Sequence, residues 1–281
     1  MRKLKERMIA RRPGLSARLI GEYPLVKVSS RPAVEPKLTS GIPAVLYQTW
    51  ETDLVGKTHY KLLEAFRARN RDIDFEFMDG EQIDAYMQKF YGDHPIYQIY
   101  SRGKFGPLKT DIWRYCILLE RGGYYMDINK EISRPIREFV KPETQAFFAY
   151  ETTLSLMVAP NAIAHRLENA HNLVDNWGFG FAPGHPILKK TIDNICKYYP
   201  QFAGRVFSQP KHAIIKLTGP AMLTQSLYDA MLENTTSEFD AGLTQAGIDF
   251  FGSGDSNMAR SWVRYAQIPA YAQARNQIIV D

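Results

Sequence analysis

The chain has 281 residues, of which 45% are hydrophobic and 12% aromatic, so it can bury a substantial core as one large α/β domain or two small ones. No apolar run approaches the roughly 18–20 residues that a membrane-spanning helix needs, and no apolar segment follows the basic N-terminal residues as it would in a secretory signal. The two cysteines, Cys116 and Cys196, are too few for a disulfide or metal framework. We therefore expect a cytoplasmic protein.

The positive charge is concentrated near the N-terminus. Residues 1–40 contain ten Lys or Arg and three Glu, a net charge of +7, whereas the whole chain carries +5, which leaves −2 for the rest. We expect a basic N-terminal extension over residues 1–40 and one folded domain over residues 41–281. The extension could bind an anionic membrane surface, where each basic side chain contributes about 1 kcal/mol, or be a solvated tail. Nucleic acid is not an expected partner, because no aromatic residue before Tyr23 could stack on a base.

The first half of the domain alternates predicted strands and helices. Apolar periodicity predicts strands at residues 44–49 and 74–78 and helices at residues 58–69 and 81–90. Residues 91–106 are rich in Tyr and Gly, and we expect them to be irregular, as in a substrate loop.

The most informative stretch is a helix, a glycine stop and a short strand. Pro107 suits the first turn of a helix, and Gly122-Gly123 can adopt the backbone conformations that end one. A strand over residues 124–128 would then present Asp127 and Asn129, two residues apart, on the same face. Because open α/β sheets gather ligands at the carboxyl ends of their strands, a metal-bound phosphate would sit there.

The second half continues the alternation with longer loops. The pattern predicts a strand at residues 146–150, a long loop to residue 183, helices at 185–199 and 220–232, and a strand at 248–251. Thr218 is the predicted cap of the second of these helices. Alternating strands and helices predict a mostly parallel sheet covered by helices on both faces.

Five segments carry a family resemblance. GGYYMDIN (122–129) resembles the GG-x-Y-x-D-x-D signature of nucleotide-sugar glycosyltransferases with the GT-A fold, and K-x-D-x-W-R-Y (109–115) resembles glycosyltransferase family 32, named for its DXD sugar-binding region. IPAVLYQTW (42–50), GFGFAPGHPIL (178–188) and LTGPAML (217–223) resemble further segments of that family.

The resemblance implies a fold and an activity. The fold would be a GT-A-type, Rossmann-like nucleotide-sugar-binding α/β fold with a mostly parallel central sheet. The activity would be that of a retaining hexosyltransferase, which moves a hexose from a UDP- or GDP-linked donor to a glycan or glycolipid hydroxyl, in surface polysaccharide synthesis. Family members include capsular polysaccharide and alpha-mannosyl or galactosyl transferases.

The resemblance also implies a divalent metal, Mn²⁺ or Mg²⁺. Asp127 and Asn129 would bind the donor's ribose and the metal that bridges its diphosphate, and Asp255 or Asn257 would complete the metal shell. Trp262 would cover the diphosphate. Hard oxygen ligands suit these ions, but an asparagine brings no charge where the family has a carboxylate, so metal affinity should fall.

Other substrate contacts follow from the same resemblance. Asp111 and Arg114 would meet sugar hydroxyls and the donor's phosphate and, with Asp127, form the catalytic set; a local i,i+3 salt bridge is the alternative. Trp50 would stack on the base or else fill the core, and Gln48 would accompany it.

The acceptor side and the reaction route are less specified. Gly219 would place its backbone at the donor. Glu151 and Asp175 are acceptor-side candidates by position only. The family's retaining, front-face route needs positioning and charge stabilisation more than a protein nucleophile.

Two rival functions remain open. Asn129 and Asn257 favour a degenerate, non-catalytic module that binds a nucleotide sugar without its metal. A membrane or scaffold adaptor would depend on residues 1–40 alone.

Overall fold

The computed structural model describes residues 12–155, 157–255 and 271–281. The strands of these residues are β1 (Val26–Lys27), β2 (Val45–Trp50), β3 (Leu54–Val55), β4 (Asp74–Asp79), β5 (Gly123–Met126), β6 (Glu131–Ile132), β7 (Ala146–Leu154), β8 (Asn172–Phe181), β9 (Val206–Phe207), β10 (Leu243–Ile248), β11 (Gly254–Asp255) and β12 (Gln277–Ile278). The α-helices are α1 (Pro13–Leu19), α2 (Lys57–Arg69), α3 (Gly80–Tyr91), α4 (Pro95–Arg102), α5 (Gly106–Arg121), α6 (Asn161–Ala164), α7 (Pro186–Tyr198), α8 (Pro210–Leu217), α9 (Pro220–Glu233), α10 (Ser237–Ala241) and α11 (Asp249–Gly252).

A six-stranded sheet in the order β10-β7-β8-β5-β2-β4 forms the centre of the molecule. β10 is parallel to β7, and β5, β2 and β4 are parallel to one another, whereas β8 is antiparallel to both of its neighbours. Five strands therefore share one direction. The predicted α/β class with a mostly parallel central sheet is confirmed.

Apolar cores lie on both faces of this sheet. One contains the buried face of α5, including Trp113 and Cys116, and the other contains Phe75, Phe147 and Phe250. A strand that is buried on both faces reads as a continuous apolar run, which is why β5 was recognisable from its sequence. Cys116 is buried, as the helical pattern predicted.

The glycine stop after α5 is confirmed. Gly122 and Gly123 have φ of 66° and 112°, which favour glycine, and a Cβ on Gly123 would lie 2.7 Å from the backbone oxygen of Val45. The two glycines thus let the chain leave the helix and enter the sheet directly beside β2.

Three predicted elements were wrong. Residues 91–106 contain α4, which the sequence analysis missed because the helix is only eight residues long; His94 caps it by accepting a hydrogen bond from the amide of Ile96 at 3.1 Å. The loop predicted to reach residue 183 contains the whole of β8, whose polar residues interrupt the apolar pattern.

The third error is the strand predicted at residues 248–251. β10 ends at Ile248, and the next three residues, Asp249, Phe250 and Phe251, all have positive φ between 49° and 57°. Left-handed residues can continue neither a strand nor a right-handed helix, so the short element α11 is a sharp turn rather than a regular helix. The aromatic pair had suggested a strand, but Phe250 instead packs into the core from the turn.

The described part of the basic extension contacts the domain. The amide of Val28 donates to Asp53, and the backbones of Arg31 and Phe75 exchange two hydrogen bonds of 2.8 Å. The boundary near residue 40 stays a prediction. No helix in the described ranges is long and apolar enough to cross a membrane.

Candidate functional site

A cavity of about 400 Å³ opens at the carboxyl ends of β2, β4 and β5. The first turns of α5 and the junction of α8 and α9 complete its wall. The predicted site residues that line it are Trp50, Asp111, Arg114, Asp127, Asn129 and Gly219.

Asp127 and Asn129 reach the cavity from a turn. β5 ends at Met126, so the predicted strand to residue 128 was too long, and the amide of Lys130 closes the turn by donating to the carbonyl of Asp127 at 2.9 Å. The amide of Asp127 donates to the carbonyl of Trp177 at 2.7 Å, which fixes the turn to β8. Both side chains still face one cavity, because the turn and not strand alternation brings them together.

Arg114 is the centre of the charged network. Its guanidinium lies 3.2 Å from the carboxylate of Asp111 and 3.3 Å from that of Asp127. The guanidinium also donates to the carbonyl of Asn176 and lies 4.2 Å above the ring of Tyr125. The i,i+3 pair considered from the sequence therefore exists, and the same arginine also joins it to the Asp127 turn.

The two ends of this network differ in their exposure to solvent. The side chain of Arg114 is only 5% exposed, whereas that of Asp127 is 33% exposed toward the cavity. The Tyr125 hydroxyl donates to Oδ1 of Asp127 at 2.5 Å, the same oxygen that faces Arg114. Among the described residues, the hydrogen bond and the ion pair of Asp127 thus use Oδ1, and Oδ2 is the oxygen that a ligand would meet.

Asp111 is held by two further donors. Thr218 Oγ1 donates to its Oδ2 at 2.9 Å and Asn176 Nδ2 donates to its Oδ1 at 3.2 Å. Burial raises the pKa of Asp111 to about 7, against the lowering effect of Arg114 and Thr218. Its carboxyl can therefore gain or lose a proton near neutral pH and can accept or donate a hydrogen bond.

Thr218 was predicted to cap a helix, and that prediction was wrong. Gly219 is the N-cap of α9, and the threonine hydroxyl is turned toward Asp111. Tyr115 donates to the backbone carbonyl of Thr218 at 2.8 Å, which ties the segment to α5.

The predicted base-binding residues differ in their positions. Trp50 ends β2 and lines the cavity, and an aromatic ring at such a place suits a planar ligand. Gln48 is fully buried in the same strand and is absent from the cavity wall, and within the described ranges neither atom of its amide has a hydrogen-bond partner.

The oxygen donors at the cavity fit a metal that takes most of its ligands from elsewhere. Asp127 supplies a carboxylate and Asn129 an amide oxygen, and across the described residues no three His, Cys, Asp or Glu side chains are grouped as a metal site. Mg²⁺ commonly binds in this way, through one or two carboxylates plus substrate phosphates and water.

The predicted C-terminal ligands are only partly described. The backbone of Asp255 in β11 pairs with that of Glu131 in β6, and Glu131 follows Asn129 by two residues. The side chain of Asp255 lies outside the described part of the chain. Asn257 and Trp262 lie outside the described residues as well.

Sequence reasoning missed three residues that build the site. Asn176 and Thr218 position Asp111, and Tyr125 supports both Arg114 and Asp127. Tyr125 stood inside the recognised GGYYMDIN segment, and Thr218 inside LTGPAML. Asn176 gave no signal of its own, because β8 had been read as loop.

Comparisons with known proteins agree on one class of enzyme. Residues 56–147 match a family described as "Glycosyltransferase sugar-binding region containing DXD motif". The "Initiation-specific alpha-1,6-mannosyltransferase" of Schizosaccharomyces pombe is 26% identical over 197 residues, which cover 67% of this chain and 48% of that protein. The "Inositol phosphoceramide mannosyltransferase 3" of the same organism is 21% identical over 66% of this chain and 45% of its own length.

The chain spans about half the length of these curated relatives. Among solved structures, the chain described as "PaToxG Glycosyltransferase" is 16% identical with a TM-score of 0.49, and the match covers 84% of each chain.

Proposed function

We propose that this chain is a glycosyltransferase of the family 32 type, which moves a hexose from a nucleotide diphosphate sugar to a hydroxyl of a glycan or glycolipid with retention of configuration. The observation that carries the proposal is the Asp111–Arg114–Asp127 network, with its buried arginine, on the wall of a cavity at the carboxyl ends of parallel strands. Carboxylates suit sugar hydroxyls, and a fixed guanidinium suits phosphate charge.

Each part of the donor has a partner of matching chemistry. The base would stack on Trp50, the sugar hydroxyls would bind the carboxyl of Asp111, and Arg114 would face the charge that develops on the diphosphate. The bond from the sugar to the diphosphate breaks, a bond to the acceptor oxygen forms, and the acceptor's proton passes to the departing diphosphate.

A divalent cation, Mn²⁺ or Mg²⁺, fits this scheme. Asp127 and Asn129 would hold it, and when bound it would neutralise charge on the diphosphate. Asn129 brings no charge of its own, so we expect weaker metal affinity than with two carboxylates. Metal dependence is therefore the property that separates the transferase from a degenerate binding module.

The acceptor and the location belong to the same proposal. The relatives are an alpha-1,6-mannosyltransferase and an inositol phosphoceramide mannosyltransferase, which favours mannose as the hexose that this chain transfers. A role in surface polysaccharide synthesis at the cytoplasmic face of a membrane would use residues 1–40 as a basic membrane contact.

Donor hydrolysis by the purified protein tests the proposal. UDP- and GDP-linked hexoses, GDP-mannose among them, are incubated with Mn²⁺ or with EDTA, and released nucleotide is measured. We expect metal-dependent release from one donor, and a loss of at least about 100-fold in Asp127→Ala. Asp193→Ala, which removes an exposed carboxylate on α7 that is not part of the cavity wall, is the matched control and should retain full activity.

Two outcomes would contradict the proposal. Nucleotide binding without metal and without hydrolysis would establish the degenerate module. Neither binding nor release with any donor would refute the assignment of the donor cavity.

A further inference from the structure

A pair of opposite charges lies at one end of the donor cavity and has no part in the network described above. Asp84 on α3 and Lys109 on α5 both line the cavity, and the ammonium of Lys109 lies 3.5 Å from Oδ1 of Asp84. The hydroxyl of Tyr100 on α4 donates to the same oxygen. All three side chains also line a second cavity of about 540 Å³ between α3 and α4, so they form the boundary between the two cavities.

The order of the strands places this pair at the base end of the donor cavity. The sheet runs β8-β5-β2-β4 on this side. Asn176 belongs to β8 and Asp127 follows β5, and the donor's sugar and diphosphate would lie beside them. Trp50 ends β2, and α3 begins directly after β4. The far edge of a base stacked on Trp50 would therefore point away from the diphosphate, toward α3.

Asp84 lies close to the segment that carries Trp50. In the register of β2 and β4, Trp50 is paired with Asp79, the residue that precedes α3. A Cβ on Gly80, the first residue of α3, would lie 3.6 Å from the backbone oxygen of Glu51. Asp84 follows Gly80 by about one helical turn, which is a rise of about 6 Å, and it faces the cavity. The edge of a ring that lies on Trp50 would thus meet Asp84.

The carboxylate of Asp84 is oriented by its protein partners. Among the described residues, its hydrogen bonds and its ion pair use Oδ1, so Oδ2 is the oxygen that a ligand would meet. Burial and the hydrogen bond to Asp84 raise the pKa of Tyr100, so its hydroxyl remains a donor. The ammonium of Lys109 lies 4.9 Å above the ring of Tyr100. The side chains of Asp84 and Lys109 are 59% and 31% exposed, so a ligand can reach both.

We propose that Asp84 and Lys109 select guanine as the base of the nucleotide donor. The inference rests on the proposed transferase function and names the nucleotide for it. The Watson–Crick edge of guanine presents two neighbouring donors, N1–H and the N2 amino group, beside the acceptor O6. Asp84 would accept from both donors, and Lys109 would donate to O6 through charge-assisted hydrogen bonds.

The other common bases do not match this pair of charges. Uracil offers a single N3–H between two carbonyl oxygens, so one of these oxygens would face the carboxylate of Asp84. Adenine and cytosine present an unprotonated ring nitrogen at the centre of the same edge, which a carboxylate repels. A site that hydrogen-bonds the N–H groups of its ligand discriminates strongly against a ligand that lacks them.

Nucleotide binding to the wild-type protein tests the inference without any transfer step. Calorimetric titrations in the presence of Mn²⁺ compare GDP, UDP and ADP, which share the diphosphate and the ribose and differ in the base. We expect GDP to bind at least about tenfold more tightly than UDP or ADP, as two hydrogen bonds to one base edge would produce.

Asp84→Asn separates recognition of the base from support of the fold. The asparagine keeps an oxygen for Tyr100 and Lys109, but its amide group donates where the carboxylate would accept. We expect the affinity for GDP to fall at least about tenfold. The affinity for xanthosine diphosphate, in which a carbonyl replaces the N2 amino group, should rise at least about fivefold. A residue with a merely structural role would not produce this exchange.

The matched control is Asp93→Asn, which changes an exposed carboxylate before α4 that is not part of either cavity wall and should leave both affinities unchanged. If UDP or ADP binds as tightly as GDP, the inference is overturned while the transferase stands. A loss of GDP affinity in Asp84→Asn without a gain for xanthosine diphosphate would also overturn it. If none of the nucleotides binds, the donor cavity is refuted, and the inference fails together with the proposed function.

Discussion

At the scale of single residues, the charged network on the cavity wall is held in place by side chains whose contacts are with other side chains. Thr218 and Asn176 both donate to Asp111, and Arg114 spans Asp111 and Asp127. Burying a charged group costs free energy unless its hydrogen bonds are made. Removal of one hydrogen-bond donor should therefore shift both the position and the protonation of the carboxyl group that accepts from it.

Thr218→Val tests this support. The variant keeps the shape of the side chain but removes the 2.9 Å hydrogen bond to Asp111. We expect the donor KM for hydrolysis to rise roughly five- to tenfold and the free energy of unfolding to fall by about 1 kcal/mol. Thr218→Ser retains the hydroxyl and should behave like the wild type. A Val variant with the donor KM of the wild type would show that Thr218 does not position Asp111.

A second prediction at this scale concerns the pH dependence of stability. Burial raises the pKa of Asp175 to about 7, so its ionised form opposes folding above that pH, and lowering the pH from 7 toward 4 relieves the opposition. Asp175→Asn should therefore stabilise the protein at pH 8.5, by about 1–3 kcal/mol, and have a clearly smaller effect at pH 5. Urea unfolding at the two pH values measures the difference. An equal effect at both would mean that the carboxyl is already paired when ionised.

At the scale of elements, the close contact between β5 and β8 sets the frame of the site. Gly180 lies opposite Tyr124 in the register, and a Cβ on Gly180 would overlap the tyrosine ring. Because that ring is fully buried, it has little room to move away. Position 180 of β8 must therefore lack a Cβ for β5 and β8 to pair in this register.

Gly180→Ala should therefore destabilise the fold by about 1–3 kcal/mol, as overpacking of a core does. Thermal unfolding measures the effect. Gly106→Ala is the control, since a Cβ there meets no atom within 4 Å and the residue begins a helix. Equal melting temperatures for Gly180→Ala and the wild type would mean that β8 can shift without cost.

The helices and strands also differ in how well the sequence predicts them. α5 and α7 were predicted to within a few residues because an apolar stripe, a proline at the start and a stop signal coincide. β8 was missed because its middle residues, Asp175 and Asn176, are polar for reasons of chemistry, and strand patterns assume that buried positions are apolar.

The lining of the cavity was predicted only in part. Asp111, Arg114 and Asp127 lay in segments with a family resemblance, and they do meet in one cavity. Their supports, Asn176 and Thr218, come from about 65 and 107 positions along the chain from Asp111, and no local pattern encodes such a distant contact.

At the scale of the whole molecule, buried histidines and buried aspartates change the stability in opposite directions as the pH falls. Burial lowers the pKa of His185 to about 4, and burial lowers that of His59 to about 4 against the charge of Glu22. Asp111 and Asp175 are shifted upward. The histidines weaken the fold as the pH falls from 6.5 toward 4, because the unfolded chain then binds protons that the folded chain does not. The aspartates offset part of this loss.

His185→Asn isolates the histidine contribution. His185 caps α7 by accepting a hydrogen bond from the amide of Ile187 at 3.3 Å, and asparagine is also a good cap. We expect the variant to lose less stability than the wild type between pH 7 and pH 5, with a difference of roughly 2 kcal/mol in the free energy of unfolding. Parallel urea titrations at both pH values provide the comparison, and identical pH dependence in the two proteins would refute it.

One strand supports three charged residues of the candidate site. On β8, Asn176 donates to Asp111 through its side chain and accepts from Arg114 through its carbonyl, and the carbonyl of Trp177 accepts from the amide of Asp127. A small shift of β8 would therefore move all three groups together. Natural variation along this strand would tune the site without exchanging any residue of the charged network itself.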